Sequence, residues 1–223
     1  MTGCIPKSLA REGMPIRDFS DEGLMEELQQ GNDGALSELM LRWQQPLAAF
    51  VFRYLQNPTD TSEVVQETFV RIYQSRQRYR PTAKFSTWIF TIAANLCRNR
   101  ARWRRRHPSI PLEFPGREGE EDINLLDAVP DDKGAAPFQA VEEQERASAV
   151  KAAIAELPHE LKTALILSHY EHMAHAEIAA IAGCTPKAVE TRVYRARQLL
   201  KKSLAWLLRD ESAEKISVPD RDA

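Results

Sequence analysis

The chain has 223 residues, 43% hydrophobic and 28% charged, with a formal net charge of −2, a composition that fits one large or two small folded domains. No apolar run approaches the roughly 20 residues a membrane-spanning helix needs, and no signal-peptide-like apolar segment opens the sequence. Cys4, Cys97 and Cys184 are too few and too scattered to frame disulfides, so the expectation is a cytoplasmic protein without membrane insertion.

Residues 1–17 show no periodicity and are expected to be a disordered extension; Met14 is an alternative translation start. From 18 to 106 the sequence reads as helices. Leu24, Met25 and Leu28 share one face of the first, which Gly31-Asn32-Asp33-Gly34 stops. Leu36, Leu39, Met40, Trp43, Leu47, Phe50, Val51 and Tyr54 follow helical spacing over 35–55, with Pro46 as an expected kink. Asn57-Pro58 breaks that helix, and Asp60 with Glu63 resembles a capping box opening a helix over 61–77. Phe85, Ile89, Ile92, Ala93 and Leu96 make the stripe of the next helix, which ends in a run of arginine.

Residues 107–139 hold most of the acid together with prolines and glycines, and read as a flexible acidic linker. Residues 140–208 are helical again, broken at Pro158 and at Gly183-Cys184-Thr185, and 209–223 read as a disordered tail. The fold class is therefore all-α: two small helical domains joined by a flexible acidic linker, the second holding a helix-turn-helix.

The near-zero charge conceals segregation. Residues 68–112 carry 11 Lys/Arg and no acid, whereas residues 113–145 carry 11 acids against Arg117 and Lys133. A helix dipole rewards cations only in the last turn, so Arg98, Arg100, Arg102, Arg104, Arg105 and Arg106 exceed what capping needs and point to phosphate. Tyr73, Tyr79, Phe85, Trp88 and Phe90 lie upstream, interleaving aromatic with basic residues as single-stranded nucleic acid prefers. Trp88 is either a core anchor or a stacking partner, and the sequence leaves both open.

In the second half, "HAEIAAIAGCTPKAVETRVYRARQLLKK" has the layout of a helix-turn-helix. Gly183 suits a sharp turn, Thr185 an N-cap and Pro186 the first helical position. Val189, Val193, Ala196 and Leu200 face inward, leaving Lys187, Glu190, Thr191, Arg192 and Arg195 for DNA. His169, His172 and His175 with Cys184 invite a metal, but i and i+6 on one helix point in nearly opposite directions, so no metal site is expected. No phosphate-binding glycine loop, paired-acid motif or nucleophile–base set appears; neither an enzyme nor a cofactor is expected.

Three motifs in one order, "DTSEVVQETFVRIYQS", "KFSTWIFTIAANLCRNRARWRRR" and the helix-turn-helix, resemble a bacterial RNA polymerase sigma factor of the extracytoplasmic-function group. The resemblance implies that 18–106 is sigma region 2 and 140–208 sigma region 4. It assigns Asp60, Glu63, Val65, Gln66, Glu67 and Phe69 to core polymerase binding, with Val65 and Phe69 equally readable as core. Tyr79, Arg80, Lys84, Ser86, Trp88, Asn95, Arg98, Arg100, Arg102 and Arg105 fall to the −10 element and its melted strand. Thr185, Lys187, Glu190, Thr191, Arg192 and Arg195 fall to the −35 element. Partners implied are core RNA polymerase, promoter DNA and an anti-sigma factor, and the linker would thread toward the polymerase cleft. The competing reading is a helix-turn-helix regulator that works without core polymerase.

Overall fold

The computed structural model describes residues 15–107 and 137–207, and among them every regular element is a helix. The extension before 15, the acidic stretch 108–136 and the tail beyond 207 lie outside the described residues. A short 3-10 turn at Ile16–Asp18 precedes α1, and Ile16, within the stretch the sequence reads as an extension, packs on the core.

Helix α1 spans Asp21–Gln29, N-capped by Ser20, whose Oγ accepts the Gly23 N–H. It buries Leu24, Met25 and Leu28 completely. Helix α2, Gly34–Leu55, continues through Pro46 and ends at Gln56 in the left-handed region. A proline inside a helix removes one intrahelical donor, and here the cost is borne by a helix whose inner face carries Leu39, Leu47, Phe50, Val51 and Tyr54. Helix α3, Pro58–Ser75, starts differently from the expected capping box. Asn57 is the cap, its side chain accepting the Asp60 N–H at 2.8 Å, with Pro58 in the first turn.

Helix α4, Phe85–Arg106, has no cap of its own, since Lys84 offers no acceptor. The carboxylate of Glu22 on α1 supplies one, accepting the Phe85 N–H at 2.9 Å. The second half holds α5 (Pro137–Ala155), α6 (His159–His169), α7 (His175–Ala182) and α8 (Pro186–Ser203). Helix α5 thus starts within the stretch that composition assigns to the linker.

The two halves are in contact. Helix α2 packs against α5 and α6, and α4 against α7. A continuous buried cluster runs from Leu24 in the first half to Ala196 in the second. Among the described residues no helix is long and apolar enough to cross a membrane.

Candidate nucleic-acid interface

Helix α3 turns Val64, Val65, Thr68, Phe69 and Ile72 inward. Val65 and Phe69, assigned above to a polymerase surface, are 6% and 4% exposed and belong to the core. The open side of α3 carries Gln66, Glu67, Val70 and Arg71 instead. Glu67 and Arg71 pair at 2.7 Å along the helix, while Val70 stands 47% exposed beside them. Val70 is absent from the sequence assignment, although i, i+3 and i+4 spacing from Glu67 and Gln66 places it on that face.

Asp60 also leaves the surface. It is 6% exposed and faces the arginine tail of α4. Its Oδ2 lies 2.7 Å from Arg104 Nε and its Oδ1 3.6 Å from Arg100 Nη1. The Arg104 contact is close but poorly aligned for a hydrogen bond, so it acts as an ion pair. Glu63, still half exposed, takes the other guanidinium nitrogen of Arg100. Burying a carboxylate costs several kcal/mol unless cations compensate it, and two arginines do so here. Arg100, assigned above to DNA, is therefore occupied within the protein.

The loop between α3 and α4 carries Arg80 and Lys84 outward. Arg80 donates to the carbonyls of Gln77 and Tyr79 at 3.1 and 2.9 Å, which curls the loop around it. Tyr79 itself is a correction to the DNA-facing set, being 4% exposed with a hydroxyl that has no protein partner. Burial, reinforced by Glu22, Asp21 and Glu26, pushes its pKa up to about 12. Gln29 holds this corner by donating from its side-chain amide to the carbonyls of Arg76 and Tyr79 at 2.7 and 3.1 Å.

Trp88 is half-buried. Its ring lies 4.9 Å from that of Tyr79 and 6.0 Å from that of Phe85, so it anchors the start of α4 and presents only its remaining surface outward. Ser86 is half-buried on the same turn. Asn95 is exposed, donates to the Thr91 carbonyl at 2.9 Å and accepts from Arg98 at 3.1 Å. Arg98, Arg102 and Arg105 are exposed on the side of α4 away from α3. Trp103, 50% exposed and stacked on His107 at 4.9 Å, is a further aromatic in this tail. Trp103 is absent from the sequence assignment, although its position inside the arginine run marks it.

Helices α7 and α8 form the turn read from sequence. Gly183 sits at φ 59°, in the left-handed region that glycine tolerates. Thr185 Oγ1 accepts the Ala188 N–H at 3.2 Å, and Val189, Val193 and Ala196 are buried beneath. Thr185, Lys187, Glu190, Thr191 and Arg195 are exposed. Tyr194, 63% exposed, joins them at i+3, i+4 and i+7 from Thr191, Glu190 and Lys187. Lys187 and Glu190 pair at 2.7 Å, which occupies the carboxylate and moderates its repulsion of phosphate. Arg192 departs from the set: it pairs with Glu160 of α6 at 2.8 Å and reaches the Cys184 sulfur at 3.2 Å. It braces the turn.

Two family models match the chain: sigma-70 region 2 over residues 39–107, and sigma-70 region 4 over residues 147–200. RNA polymerase sigma-H factor of Pseudomonas aeruginosa is 30% identical over 191 residues, spanning 85% of this chain and 96% of the relative. The ECF RNA polymerase sigma-E factor of Haemophilus influenzae is 31% identical over 196 residues, spanning 85% and 98%. Among solved structures, CnrH in complex with the cytosolic domain of CnrY superposes with a TM-score of 0.58 at 26% identity, covering 83% of this chain and 97% of CnrH. RpoE in complex with the anti-sigma factor NepR from Bartonella quintana gives 0.53 at 21% identity, covering 76% and 96%, and shows the shared fold.

Proposed function

The chain belongs to the extracytoplasmic-function group of the sigma-70 family, and from that premise we propose which of its surfaces carries each step of initiation. It is a sigma factor that binds core RNA polymerase and directs promoter-specific transcription initiation, with core polymerase, promoter DNA and an anti-sigma factor as partners. It acts in the cytoplasm, and the bond-making chemistry belongs to the polymerase.

Gln66, Glu67 and Val70 on the open side of α3 grip core polymerase, with Glu63 at the edge of that surface. Arg80, Lys84 and Asn95 face the separated −10 strand beside the outer part of Trp88 and Ser86, where hydrogen bonds to the edge of an unstacked base offset its extrusion. Arg98, Arg102 and Arg105 hold the neighbouring phosphates. Lys187, Glu190, Thr191, Tyr194 and Arg195 read the −35 element in the major groove, with Thr185 at the helix start.

One observation supports this division above the others. The exposed side chains segregate by chemistry, mixed polar and apolar on α3, dominated by arginine on the second half of α4, and on α8 Lys187, Arg195, Arg197, Lys201 and Lys202 set around Glu190, Thr191 and Tyr194, while each helix buries its opposite face. Run-off transcription from core polymerase, with and without the chain, tests the assignment on a promoter identified from start sites gained on overexpression. Glu67→Arg abolishes transcription by loss of polymerase binding. Arg98→Ala with Arg102→Ala abolishes it with polymerase binding intact. Loss of polymerase binding in the arginine double variant overturns the division of labour.

A further inference from the structure

The arginines of α4 fall into two stripes. At 100° per residue, Arg100 and Arg104 lie within about 40° of each other, whereas Arg98, Arg102 and Arg105 cluster on the order of 150° away. The buried residues of α4 end at Cys97, so the last nine residues of the helix have no fully buried side chain to fix them. Ala101 packs against the core partly buried, and the first stripe adds the ion pairs that tie this tail to the body. Arg104 pairs with buried Asp60 at 2.7 Å, and Arg100 pairs with Asp60 at 3.6 Å and with Glu63. Both acids sit where α3 begins, and Asp60 is itself set by the Asn57 cap on its backbone N–H.

We propose that Asp60 is a positioning residue for promoter binding: by drawing Arg100 and Arg104 onto α3, it leaves Arg98, Arg102 and Arg105 as the phosphate-facing stripe. This rests on the reading of the α4 tail as a DNA surface. The arginine surplus then has two uses, since one stripe neutralises an internal carboxylate and the other meets the nucleic acid. It also links the helix that grips polymerase to the helix that meets the −10 element through one ion-paired cluster. Asp60 itself touches neither partner.

The salt dependence of binding separates the stripes, because each duplex phosphate that the protein ceases to neutralise flattens the slope of log K against log salt by about 0.9. The full chain is titrated against a mixed-sequence duplex by fluorescence anisotropy over a series of potassium chloride concentrations. Arg102→Ala and Arg105→Ala each flatten the slope by about 0.9, whereas Arg100→Ala and Arg104→Ala leave it unchanged. Asp60→Asn frees Arg104 and steepens the slope by about 0.9; adding Glu63→Gln frees Arg100 and steepens it by about 0.9 more. Asp60→Glu retains the parent slope. A variant that merely unfolds flattens the slope, so steepening distinguishes positioning from general damage. If Arg100→Ala and Arg104→Ala flatten the slope as much as Arg102→Ala does, the tail binds DNA but Asp60 does not sort its arginines, and the proposal falls alone. If no arginine substitution moves the slope, the DNA reading of the tail falls and takes the proposal with it.

Discussion

The phenol of Tyr54, near the end of α2, shares a hydrogen bond with Nδ1 of His159 at the start of α6, across the boundary between the two halves. Around it Lys162 holds its ammonium 4.9 Å from the Tyr54 ring centroid while donating to the Ala155 carbonyl. Nearby, Arg53 lies 4.4 Å from the Tyr170 ring and 3.5 Å from the Glu171 carboxylate. The arrangement brings α4 against α7. That is incompatible with simultaneous readout of elements centred near −10 and −35, about 85 Å apart along duplex at 3.4 Å per base pair. Engaging both elements at once is therefore expected to require the halves to separate, opening the Tyr54–His159 boundary.

Acid favours that opening. Burial lowers the His159 pKa to about 4, helped by Arg98, Lys162 and Arg192 and opposed by Glu160. On separation the ring regains water and returns toward 6.5. Between those values the open state binds more protons, so the closed state is fully favoured above about 6.5 and loses stability as pH falls toward about 4. Glu171 works in the opposite direction: burial raises its carboxyl pKa against the pull of Arg53, so proton uptake there favours the closed state further into acid. Glu171 is retained in His159→Phe, so comparing that variant with the parent isolates the histidine. Small-angle scattering is expected to show a larger radius of gyration at about pH 5.5 than at about pH 7.5, with the difference reduced in His159→Phe. An unchanged radius would remove His159 as the sensitive contact.

Lys84 and Glu177 also bridge the halves, at 2.7 Å, yet they do little to hold them. The Lys84 side chain is 74% exposed, so solvent screening and the entropy of holding two side chains in one geometry offset most of the attraction. The carboxylate has a second duty, accepting the Ala174 N–H at the start of α7. A double-mutant cycle on Lys84→Ala and Glu177→Ala, read by thermal or denaturant unfolding, is expected to give a coupling no larger than that of an ordinary exposed ion pair. Lys84→Ala should nonetheless weaken binding to a −10 fork substrate. A coupling well above that bound would make this pair a latch.

On α3, stability and polymerase binding should separate cleanly. Phe69, 4% exposed, sits in the core, and Phe69→Ala is expected to cost about 3–5 kcal/mol of stability. Val70, 47% exposed, should tolerate alanine within about 0.5 kcal/mol yet lose affinity for core polymerase. Denaturant melts set beside co-purification with core polymerase decide this. Equal losses in both measurements for Val70→Ala would mean that the residue packs rather than binds.

How much was legible beforehand follows from the range of each interaction. Helical spacing gives the apolar faces of α1, α2 and α4, because periodicity is local. The cap of α4 was not legible: Glu22 reaches Phe85 across 63 positions, and nothing in either neighbourhood announces it. Asp60 read as a capping or surface acid because its arginines lie 40 and 44 residues away on another helix. The resemblance places Tyr79, Val65 and Phe69 among contact residues, whereas all three are buried. A matching motif carries the residues that shape a surface along with those that form it, and burial separates the two. On α8 the helical spacing places Tyr194 beside Glu190 and Thr191, but a charge pattern alone does not mark an uncharged tyrosine.

The turn before α8 makes the last contrast. Thr185 caps the helix through its hydroxyl, and Thr185→Ala is expected to cost about 1 kcal/mol. A methyl group at Gly183 would meet no atom within 4 Å, but the residue sits at φ 59°, so Gly183→Ala carries a conformational cost of roughly 1–2 kcal/mol without a clash. Arg195 and Arg192, three residues apart, should behave differently from each other. Arg195 is exposed on the face proposed to read the −35 element, and Arg195→Ala is expected to relax discrimination at one −35 position by about 1–3 kcal/mol. Arg192 is engaged by Glu160 and Cys184, and Arg192→Ala should lower stability and weaken all sequences alike. Binding to a panel of single-position −35 variants reads both outcomes. A position-specific effect for Arg192 and a uniform one for Arg195 would exchange their roles, and α8 would then enter the groove by a different face.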